Sequence, residues 1–235
     1  MILIGGLQKT TLIDYPGRVA CTVFLIGCNF RCPFCYNRGL VLPEEIKKQP
    51  KIPEKEFFKF LKERKRLLEG ICLTGGEPTL NRDLPKFIKK IKKLGYLVKL
   101  DTNGSIPQML KRLIDEKLID YAAMDIKASL KSQNYDRAAG VRVNLNNIKK
   151  SIAIIKKSGI DYEFRMTVVP GFHTKEDIIK IARWIGPVKK FCLQNFKPEK
   201  TIDSKFEKIK PHSKDFLLEI KEEISQFFEI CEVRE

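Results

Sequence analysis

Hydrophobic and polar positions follow two patterns that alternate along the chain. Short runs of apolar, β-branched residues predict strands, and the amphipathic segments between them predict helices. The expected strands are 19–26, 70–74, 97–101, 121–127, 162–169 and 190–195, and the expected helices are about 54–68, 84–94, 107–117, 144–157 and 175–185. Strands that alternate with helices are typical of a parallel sheet covered by helices, so we predict an α/β fold.

The number of strand and helix units indicates how the sheet closes. Six units are fewer than the eight of a complete TIM barrel, so we predict a partial (β/α)6 TIM-like barrel that is open on one side. Two extended pieces, 2–7 and 10–13, end at the turn-forming residues 14–17 and predict a short N-terminal β-hairpin. We expect one domain over 1–235, with the hairpin in 1–17 and the barrel in 18–195. The remainder, 196–235, should form an irregular, mobile loop and a C-terminal helix of about 213–229.

Composition and charge narrow the class of protein. Of the 235 residues 43% are hydrophobic, which is enough for one substantial core. The chain has 45 Lys and Arg against 29 Asp and Glu, a formal net charge of +16 that would suit nucleic acid, an acidic protein or an anionic small molecule. In the predicted helix 84–94, however, the lysines lie opposite the apolar face and form a solvated surface. Nucleic acid therefore stays open as a partner but is not favoured.

No segment of the sequence indicates export or membrane insertion. Gly5 and Gly6 interrupt the apolar residues at the start, so we expect no signal peptide. The longest apolar run, 19–27, contains Thr22 and is much shorter than the roughly 20 residues that cross a bilayer. We predict a soluble, cytoplasmic protein without a membrane partner.

Seven cysteines fall into two groups. Cys28, Cys32 and Cys35 lie within eight residues, whereas the other four stand alone among apolar neighbours, as expected of small core residues: Cys21, Cys72, Cys192 and Cys231. Cytosolic thiols stay reduced, so the close group indicates metal binding rather than disulfides.

The identity of the metal follows from the number of ligands. Three soft thiolates on one loop suit iron in an iron-sulfur cluster and leave one iron open. Structural zinc normally takes four protein ligands, and the only histidines, His173 and His212, are far along the chain. Zinc would need such a distant ligand, so we favour the cluster.

Other polar motifs follow the predicted strands. They are Thr-Gly-Gly-Glu-Pro at 74–78, Asp-Thr-Asn-Gly at 101–104, the pair Asp125 and Lys127, and Arg165. Each could be an ordinary turn or a structural ion pair when considered alone. Because α/β barrels place their active sites at the carboxyl ends of the strands, we expect these residues to form one site with the cysteines.

Together these residues resemble the radical S-adenosylmethionine (SAM) superfamily, whose signature is a Cys-x3-Cys-x2-Cys loop after the first barrel strand. The resemblance spans nearly the whole chain. Residues 6–17, Gly-Leu-Gln-Lys-Thr-Thr-Leu-Ile-Asp-Tyr-Pro-Gly, most resemble glycyl radical enzyme activating enzymes, in particular the activating protein of anaerobic ribonucleoside-triphosphate reductase.

The resemblance implies that Cys28, Cys32 and Cys35 bind a 4Fe-4S cluster whose open iron is chelated by the amino and carboxylate groups of SAM. An electron from the cluster would cleave SAM to methionine and a 5'-deoxyadenosyl radical, which abstracts a hydrogen atom. The hard chemistry then belongs to the cofactors.

The resemblance also implies a set of residues around SAM. Phe34 would pack near the adenine, and the methionyl amino end would meet the turn after the second barrel strand. The full set is Phe34, Tyr36, Gly75, Gly76, Glu77, Asn103, Asp125, Lys127 and Arg165. Lys127 and Arg165 can pair with a carboxylate, and Asp125 can accept hydrogen bonds from ribose hydroxyls.

Three further features come from related activating enzymes. Asp101, Thr102 and Met124 match a monovalent-cation site. Tyr36 stands where relatives often have a histidine after the third cysteine, and Gln194 or Asn195 would substitute for a late histidine near the cofactor.

The function implied by the resemblance is the installation of a glycyl radical on a partner enzyme. The glycine would lie in a flexible segment across the open barrel, and a flavodoxin or ferredoxin would donate the electron. Two alternatives remain open at this point. One is a radical SAM enzyme that modifies tRNA or another substrate, which the charge of +16 supports, and the other is a non-catalytic metal-binding module.

Overall fold

The computed structural model describes residues 2–235, which contain one eight-stranded sheet whose strands lie in chain order. The strands are β1 (Ile4–Thr11), β2 (Ala20–Leu25), β3 (Gly70–Gly75), β4 (Leu97–Thr102), β5 (Tyr121–Asp125), β6 (Asp161–Val168), β7 (Val188–Asn195) and β8 (Phe228–Arg234). The helices are α1 (Arg38–Val41), α2 (Pro43–Ile46), α3 (Glu54–Glu63), α4 (Leu84–Lys93), α5 (Pro107–Asp115), α6 (Ser132–Ala139), α7 (Leu145–Lys156), α8 (Lys175–Ile185) and α9 (Lys214–Ile224). Short 3-10 helices lie at Pro78–Leu80, Ser204–Lys208 and Ser225–Phe227.

The strand pairing leaves the barrel open. Strands β2 to β8 are parallel to their neighbours, and β1 is antiparallel to β2. Over residues 2–235, β1 and β8 form the two edges of the sheet and do not pair with each other. The predicted α/β class, the open partial barrel and the N-terminal antiparallel hairpin are therefore confirmed.

Helix α4 shows why the amphipathic segments fold as expected. Leu84, Phe87, Ile88 and Ile91 recur at helical spacing and are buried against the sheet, whereas the lysines between them are mostly exposed. Across residues 2–235, no helix is long and apolar enough to cross a membrane.

The N-terminal hairpin differs in detail from the prediction. The pieces 2–7 and 10–13 do not pair with each other, because residues 4–11 form the single strand β1, whose partner is the first barrel strand. The turn that connects β1 to β2 is fixed by the hydroxyl of Thr22, which donates a 2.5 Å hydrogen bond to the carboxylate of Asp14. The hairpin is thus part of the main sheet.

The predicted C-terminal helix is too long. Helix α9 ends at Ile224, and residues 228–234 form β8, which extends the parallel part of the sheet to seven strands. The sequence Phe-Glu-Ile-Cys-Glu-Val-Arg alternates only in part, because Ile230 and Cys231 are both apolar, and pairing with β7 sets the strand. Arg234 also supports the strand, because its guanidinium makes two hydrogen bonds, of 3.1 and 2.7 Å, to the buried carboxylate of Glu163.

The two faces of the sheet differ in character. On β6, Phe164 and Met166 point into the apolar core. Glu163 and Arg165 alternate with them and form ion pairs with side chains of β4, β5 and β8. Because side chains alternate along a strand, the inner face of the barrel carries a charged layer directly beneath the carboxyl ends of the strands.

Candidate active site

A cavity of about 410 Å³ lies inside the open barrel at the carboxyl ends of the strands. Most of the expected site residues line it. They are Cys28, Cys32, Phe34, Cys35, Tyr36, Gly75, Gly76, Asp101, Thr102, Asn103, Asp125, Lys127, Arg165 and Gln194. Glu77 and Met124 are fully buried behind the lining, and Asn195 lines an adjoining pocket instead.

The cysteine loop follows β2 and is held by hydrogen bonds of Arg31. The guanidinium of Arg31 donates a 2.7 Å hydrogen bond to the carbonyl of Cys28, and the amide of Arg31 donates to the carbonyl of Ala139. The thiols of this loop are free. Burial raises the pKa of Cys28 to about 11 and that of Cys32 to about 12, so both are neutral thiols until a metal displaces the proton.

The donor set fits a cluster better than a single ion. Within the described part of the chain, no group of three or more His, Cys, Asp or Glu side chains could hold one metal ion. The three cysteines of a cluster bind different irons and need not converge on one point. Zinc also lacks its fourth ligand here. His173 lies beside Phe34, but its Nδ1 accepts the amide of Val169 and its Nε2 lies 2.8 Å from the carbonyl of Lys127.

Gly75 and Gly76 bring the end of β3 against the end of β2. A Cβ on Gly75 would overlap the backbone nitrogen of Leu25, and one on Gly76 would overlap the carbonyl oxygen of Gly27. Gly75 also has a φ of +113°, which favours glycine. Both residues border the cavity, but the close approach that requires glycine is to the backbone that leads into the cysteine loop.

Glu77 joins the loops that follow β3 and β4. Its carboxylate accepts hydrogen bonds from the amide and hydroxyl of Thr79, the hydroxyl of Thr102 and the amide of Asn103. The side-chain amide of Asn103 then donates toward the sulfur of Cys28 at 3.9 Å. Glu77 therefore acts on the cavity through Asn103 rather than by direct contact.

Arg165 links two carboxylates from neighbouring strands. Its Nε lies 2.9 Å from Asp125 and its Nη1 lies 3.1 Å from Asp101. Lys127 pairs with Asp125 at 3.1 Å, and the buried ammonium of Lys99 pairs with Asp101. Although burial opposes ionisation, these cations hold the pKa of both Asp101 and Asp125 below its usual value. The site therefore carries fixed charges of both signs.

Of the three residues expected to bind a monovalent cation, Asp101 and Thr102 line the cavity, and Met124 is buried beside Thr102 on the next strand. The carboxylate of Asp101 already pairs with Lys99 and Arg165. Thr102 donates its hydroxyl proton to Glu77, and Met124 is buried against Gly104. A cation role for these residues stays a prediction.

Aromatic residues close one side of the cavity. Phe34 is buried and packs against Phe172 and Phe206. Tyr36, which is 42% exposed, stacks on Phe196 and accepts a 2.7 Å hydrogen bond from the amide of Lys197. Gln194 and Asn195, either of which was expected near the cofactor, occupy different positions. Asn195 donates a hydrogen bond to the carbonyl of His212, and Gln194 lines the main cavity.

Residues 196–210, which we call the strap segment, were expected to be part of a mobile loop. The segment is irregular apart from one 3-10 helix, but it is fastened to the cysteine loop. The amide of Ile202 donates to the carbonyl of Cys35 at 3.1 Å, and the amide of Asp203 donates to the carbonyl of Pro33 at 2.9 Å. This segment is therefore tied to the cysteine loop by backbone hydrogen bonds, and its mobility stays a prediction.

His173 does not line the cavity but contacts two residues that do, Phe34 and Lys127, and the sequence reasoning missed this. Burial lowers its pKa to about 4, so the ring is neutral and holds the backbone of Lys127 in place. Its position beside Phe34 depends on the fold. The only signal in the sequence is that the chain has just two histidines.

Comparisons with known proteins agree with this geometry. The family model of the radical SAM superfamily matches residues 22–185. A protein of Methanocaldococcus jannaschii, named as a candidate glycyl-radical enzyme activating enzyme, is 34% identical over 88% of this chain and 85% of its own. A protein of Thermococcus kodakarensis, named as a probable GTP 3',8-cyclase, is 26% identical over 80% of this chain and 65% of its own.

Solved structures share the fold at low sequence identity. SuiB of Streptococcus suis has a TM-score of 0.67 at 17% identity and is matched over 88% of this chain, which spans about half of SuiB (47%). QueE of Escherichia coli has a TM-score of 0.57 at 14% identity over 97% of this chain and 92% of its own. The family match covers most of the sequence, and with it come the cofactors of the family, a 4Fe-4S cluster and SAM. The chain therefore belongs to the radical SAM superfamily.

Proposed function

We propose that the protein is a glycyl radical enzyme activating enzyme, which abstracts a hydrogen atom from a glycine of a partner protein. The observation that carries the proposal is the cavity itself, where three free thiols face fixed charges of both signs at the open side of a barrel. The similarity to the Methanocaldococcus jannaschii protein, which extends over most of both chains, supports the same activity.

In this proposal Cys28, Cys32 and Cys35 hold the 4Fe-4S cluster. Once bound, the cluster supplies the electron that cleaves SAM and so provides the radical that takes the hydrogen. Two residues act on the thiolates. The amide of Asn103 points to the sulfur of Cys28, and the ammonium of Lys127 favours the thiolate forms of Cys32 and Cys35, against the effect of burial.

The remaining cavity residues bind and orient SAM in this proposal. The cavity of about 410 Å³ is within the usual range of roughly 300–1,000 Å³ for small-molecule sites. Backbone groups at Gly75 and Gly76 lie beside the cysteine loop and suit the methionyl amino end. Asp125, held by Arg165 and Lys127, suits the ribose hydroxyls, and Phe34 offers an apolar surface to the adenine.

The open side of the barrel suits a macromolecular substrate. A smaller pocket of about 140 Å³ shares Tyr36 and Gln194 with the main cavity and reaches Arg234 on the edge strand β8. Near the other edge, Leu12 and Ile13 are 72% and 83% exposed. Adjacent exposed apolar residues of this kind are suited to contact with another protein, whereas a small substrate would not need them.

A second candidate function is the modification of a nucleotide or of tRNA. The similarity to GTP 3',8-cyclase and the net charge of +16 favour it. A tRNA complex of this kind would weaken steeply with salt, because binding would release counterions from the phosphates.

One experiment separates the two functions. The anaerobically reconstituted, reduced protein is mixed with SAM and candidate glycyl radical enzymes, and the sample is examined by electron paramagnetic resonance. We expect a glycyl radical signal that is absent from the Cys32→Ala variant. Cleavage of SAM without a glycyl radical, together with conversion of GTP or tRNA, would support the second function and contradict the first.

A further inference from the structure

Glu163 places a buried carboxylate one layer beneath the cavity. It precedes Arg165 by two positions on β6, so both side chains lie on the inner face of the barrel. Glu163 is fully buried, and the guanidinium of Arg234 on β8 donates to both of its carboxylate oxygens, at 3.1 and 2.7 Å. Glu163 does not line the cavity, but its neighbour Arg165 does.

Two carboxylates compete for the guanidinium of Arg165. Its Nη1 lies 3.1 Å from Asp101 and 3.9 Å from Glu163. The first distance is that of a hydrogen bond and the second is not. A movement of about 1 Å would reverse this preference, because N–H···O hydrogen bonds have lengths of about 2.9 Å. The position of Arg165 therefore depends on how well other cations neutralise Glu163.

Arg234 supplies most of that neutralisation. Two parallel hydrogen bonds from a guanidinium to a carboxylate form one of the strongest arrangements of such a pair. Lys190 is a further cation near Glu163, but its ammonium is 4.0 Å away and pairs with Glu232 at 2.8 Å. Since the other cation on Glu232 is Arg234, movement of Lys190 after loss of Arg234 would leave Glu232 without an ion pair in residues 2–235.

Movement of Arg165 would have a lower cost. Each carboxylate that Arg165 bridges has a lysine partner of its own, which is Lys99 for Asp101 and Lys127 for Asp125. Neither carboxylate would be left without a cation if the guanidinium moved down toward the next layer. Arg165 is therefore the cation that a poorly neutralised glutamate beneath it would attract.

We propose that Arg234 is a positioning residue for SAM, because by occupying Glu163 it keeps Arg165 on the bridge between two carboxylates of the cavity. The inference rests on the role of Arg165 in SAM binding within the proposed function. Strand β8 thereby helps to shape the cofactor site, although no residue of β8 lines the cavity.

The test is a double-mutant cycle on Arg234 and Glu163. The variants are Arg234→Met, Glu163→Gln and their combination, and Arg18→Met is the matched control, since Arg18 pairs with Glu69 on the surface. SAM binding to the anaerobically reconstituted but unreduced protein is measured by equilibrium dialysis, so that SAM is bound but not cleaved. Urea unfolding of each variant measures its stability separately. The KM for SAM and kcat of SAM cleavage are then measured with dithionite.

We expect the dissociation constant of SAM to rise by about tenfold or more for Arg234→Met, which is the effect of losing one hydrogen bond to a charged group. The control should stay within about threefold of the unmodified protein. Glu163→Gln alone should weaken binding less than Arg234→Met does. The double variant should recover most of the lost affinity, because a neutral glutamine does not attract Arg165. KM should follow the dissociation constant, whereas kcat should change by less than about threefold.

Two results would overturn the inference. One is an unchanged SAM affinity of Arg234→Met. The other is a double variant that binds SAM as weakly as Arg234→Met, which would mean that Arg234 supports the site only by stabilising β8. If Arg234→Met does not take up iron, the same comparison is made between Arg234→Lys and Arg234→Lys combined with Glu163→Gln.

Failure of the proposed function gives different results. If Arg165 has no role in SAM binding, Arg165→Lys will bind SAM as tightly as the unmodified protein. If the partner is not a glycyl radical enzyme, no glycyl radical will form, but the dialysis measurements with Arg234→Met keep their meaning.

Discussion

The bridge that Arg165 makes between two carboxylates can be tested by the substitution Arg165→Lys. The guanidinium binds Asp125 through Nε at 2.9 Å and Asp101 through Nη1 at 3.1 Å, and the side chain is only 12% exposed. A lysine keeps the positive charge but offers one compact ammonium that cannot occupy both positions. The variant therefore loses one charge-assisted hydrogen bond.

The magnitude follows from the partners that remain. A hydrogen bond to a charged group contributes about 1.5–3 kcal/mol. The larger cost of about 3–5 kcal/mol for an unpaired buried charge does not apply, because Asp101 retains Lys99 and Asp125 retains Lys127. If the same bridge sets the position of Asp125 against SAM, the dissociation constant of SAM should rise by about tenfold to a hundredfold, since about 1.4 kcal/mol corresponds to a factor of ten.

The assay combines urea unfolding with SAM titration of the anaerobic, reconstituted protein. Arg112→Lys is the matched control, since Arg112 is on the surface of α5 and pairs with Glu116 in solvent. We expect no measurable change for the control. An Arg165→Lys variant with the same stability and the same SAM affinity as the unmodified protein would refute the reasoning about the bridge.

Three further predictions concern other parts of the site. The substitution Gly76→Ala should lower the free energy of unfolding in urea by about 1–3 kcal/mol and reduce the iron content, because the added Cβ overlaps the backbone before the cysteine loop. The control Gly6→Ala should be tolerated, because a Cβ there meets only ordinary contacts. The substitution Asn103→Leu should lower the reduction potential of the cluster by about 20–40 mV in a redox titration. The reason is that the hydrogen bond toward the sulfur of Cys28 stabilises the reduced cluster, which carries more negative charge. An unchanged potential would exclude this role of Asn103. Burial lowers the pKa of His173 in the folded chain to about 4, whereas a histidine of the unfolded chain takes up its proton near pH 6.5. The free energy of unfolding should therefore decline by about 3 kcal/mol as the pH falls from about 6.5 to 4. A His173→Asn variant should lack this part of the pH dependence in denaturant titrations.

The sequence predicted those features of the fold that produce a pattern among nearby residues. The strands of the barrel are apolar and β-branched, and the helices show clear amphipathic spacing, so both could be located. Asp101, Asp125 and Arg165 could be placed in one site because the carboxyl ends of neighbouring parallel strands meet at one rim. In the structure, ion pairs join the three side chains.

Other features depend on contacts that leave no local signal. Strand β8 is an edge strand with polar residues at three of its seven positions, Glu229, Glu232 and Arg234, so its pattern merges with the preceding helix. The strap segment is fastened by backbone amides, which any sequence could supply. The glycines at 75 and 76 could be recognised as part of a motif after a strand, but only the fold reveals that they pack against the backbone of β2 and of the loop after it.

The central claim is that the cavity cleaves SAM at a cluster held by Cys28, Cys32 and Cys35. The most direct measurement is to load the protein anaerobically to about four irons per chain, reduce it with dithionite, add SAM and quantify 5'-deoxyadenosine and methionine by mass spectrometry. We expect both products in equal amounts from the unmodified protein and none from the Cys32→Ala variant. A fully loaded and reduced protein that forms no 5'-deoxyadenosine would contradict the claim.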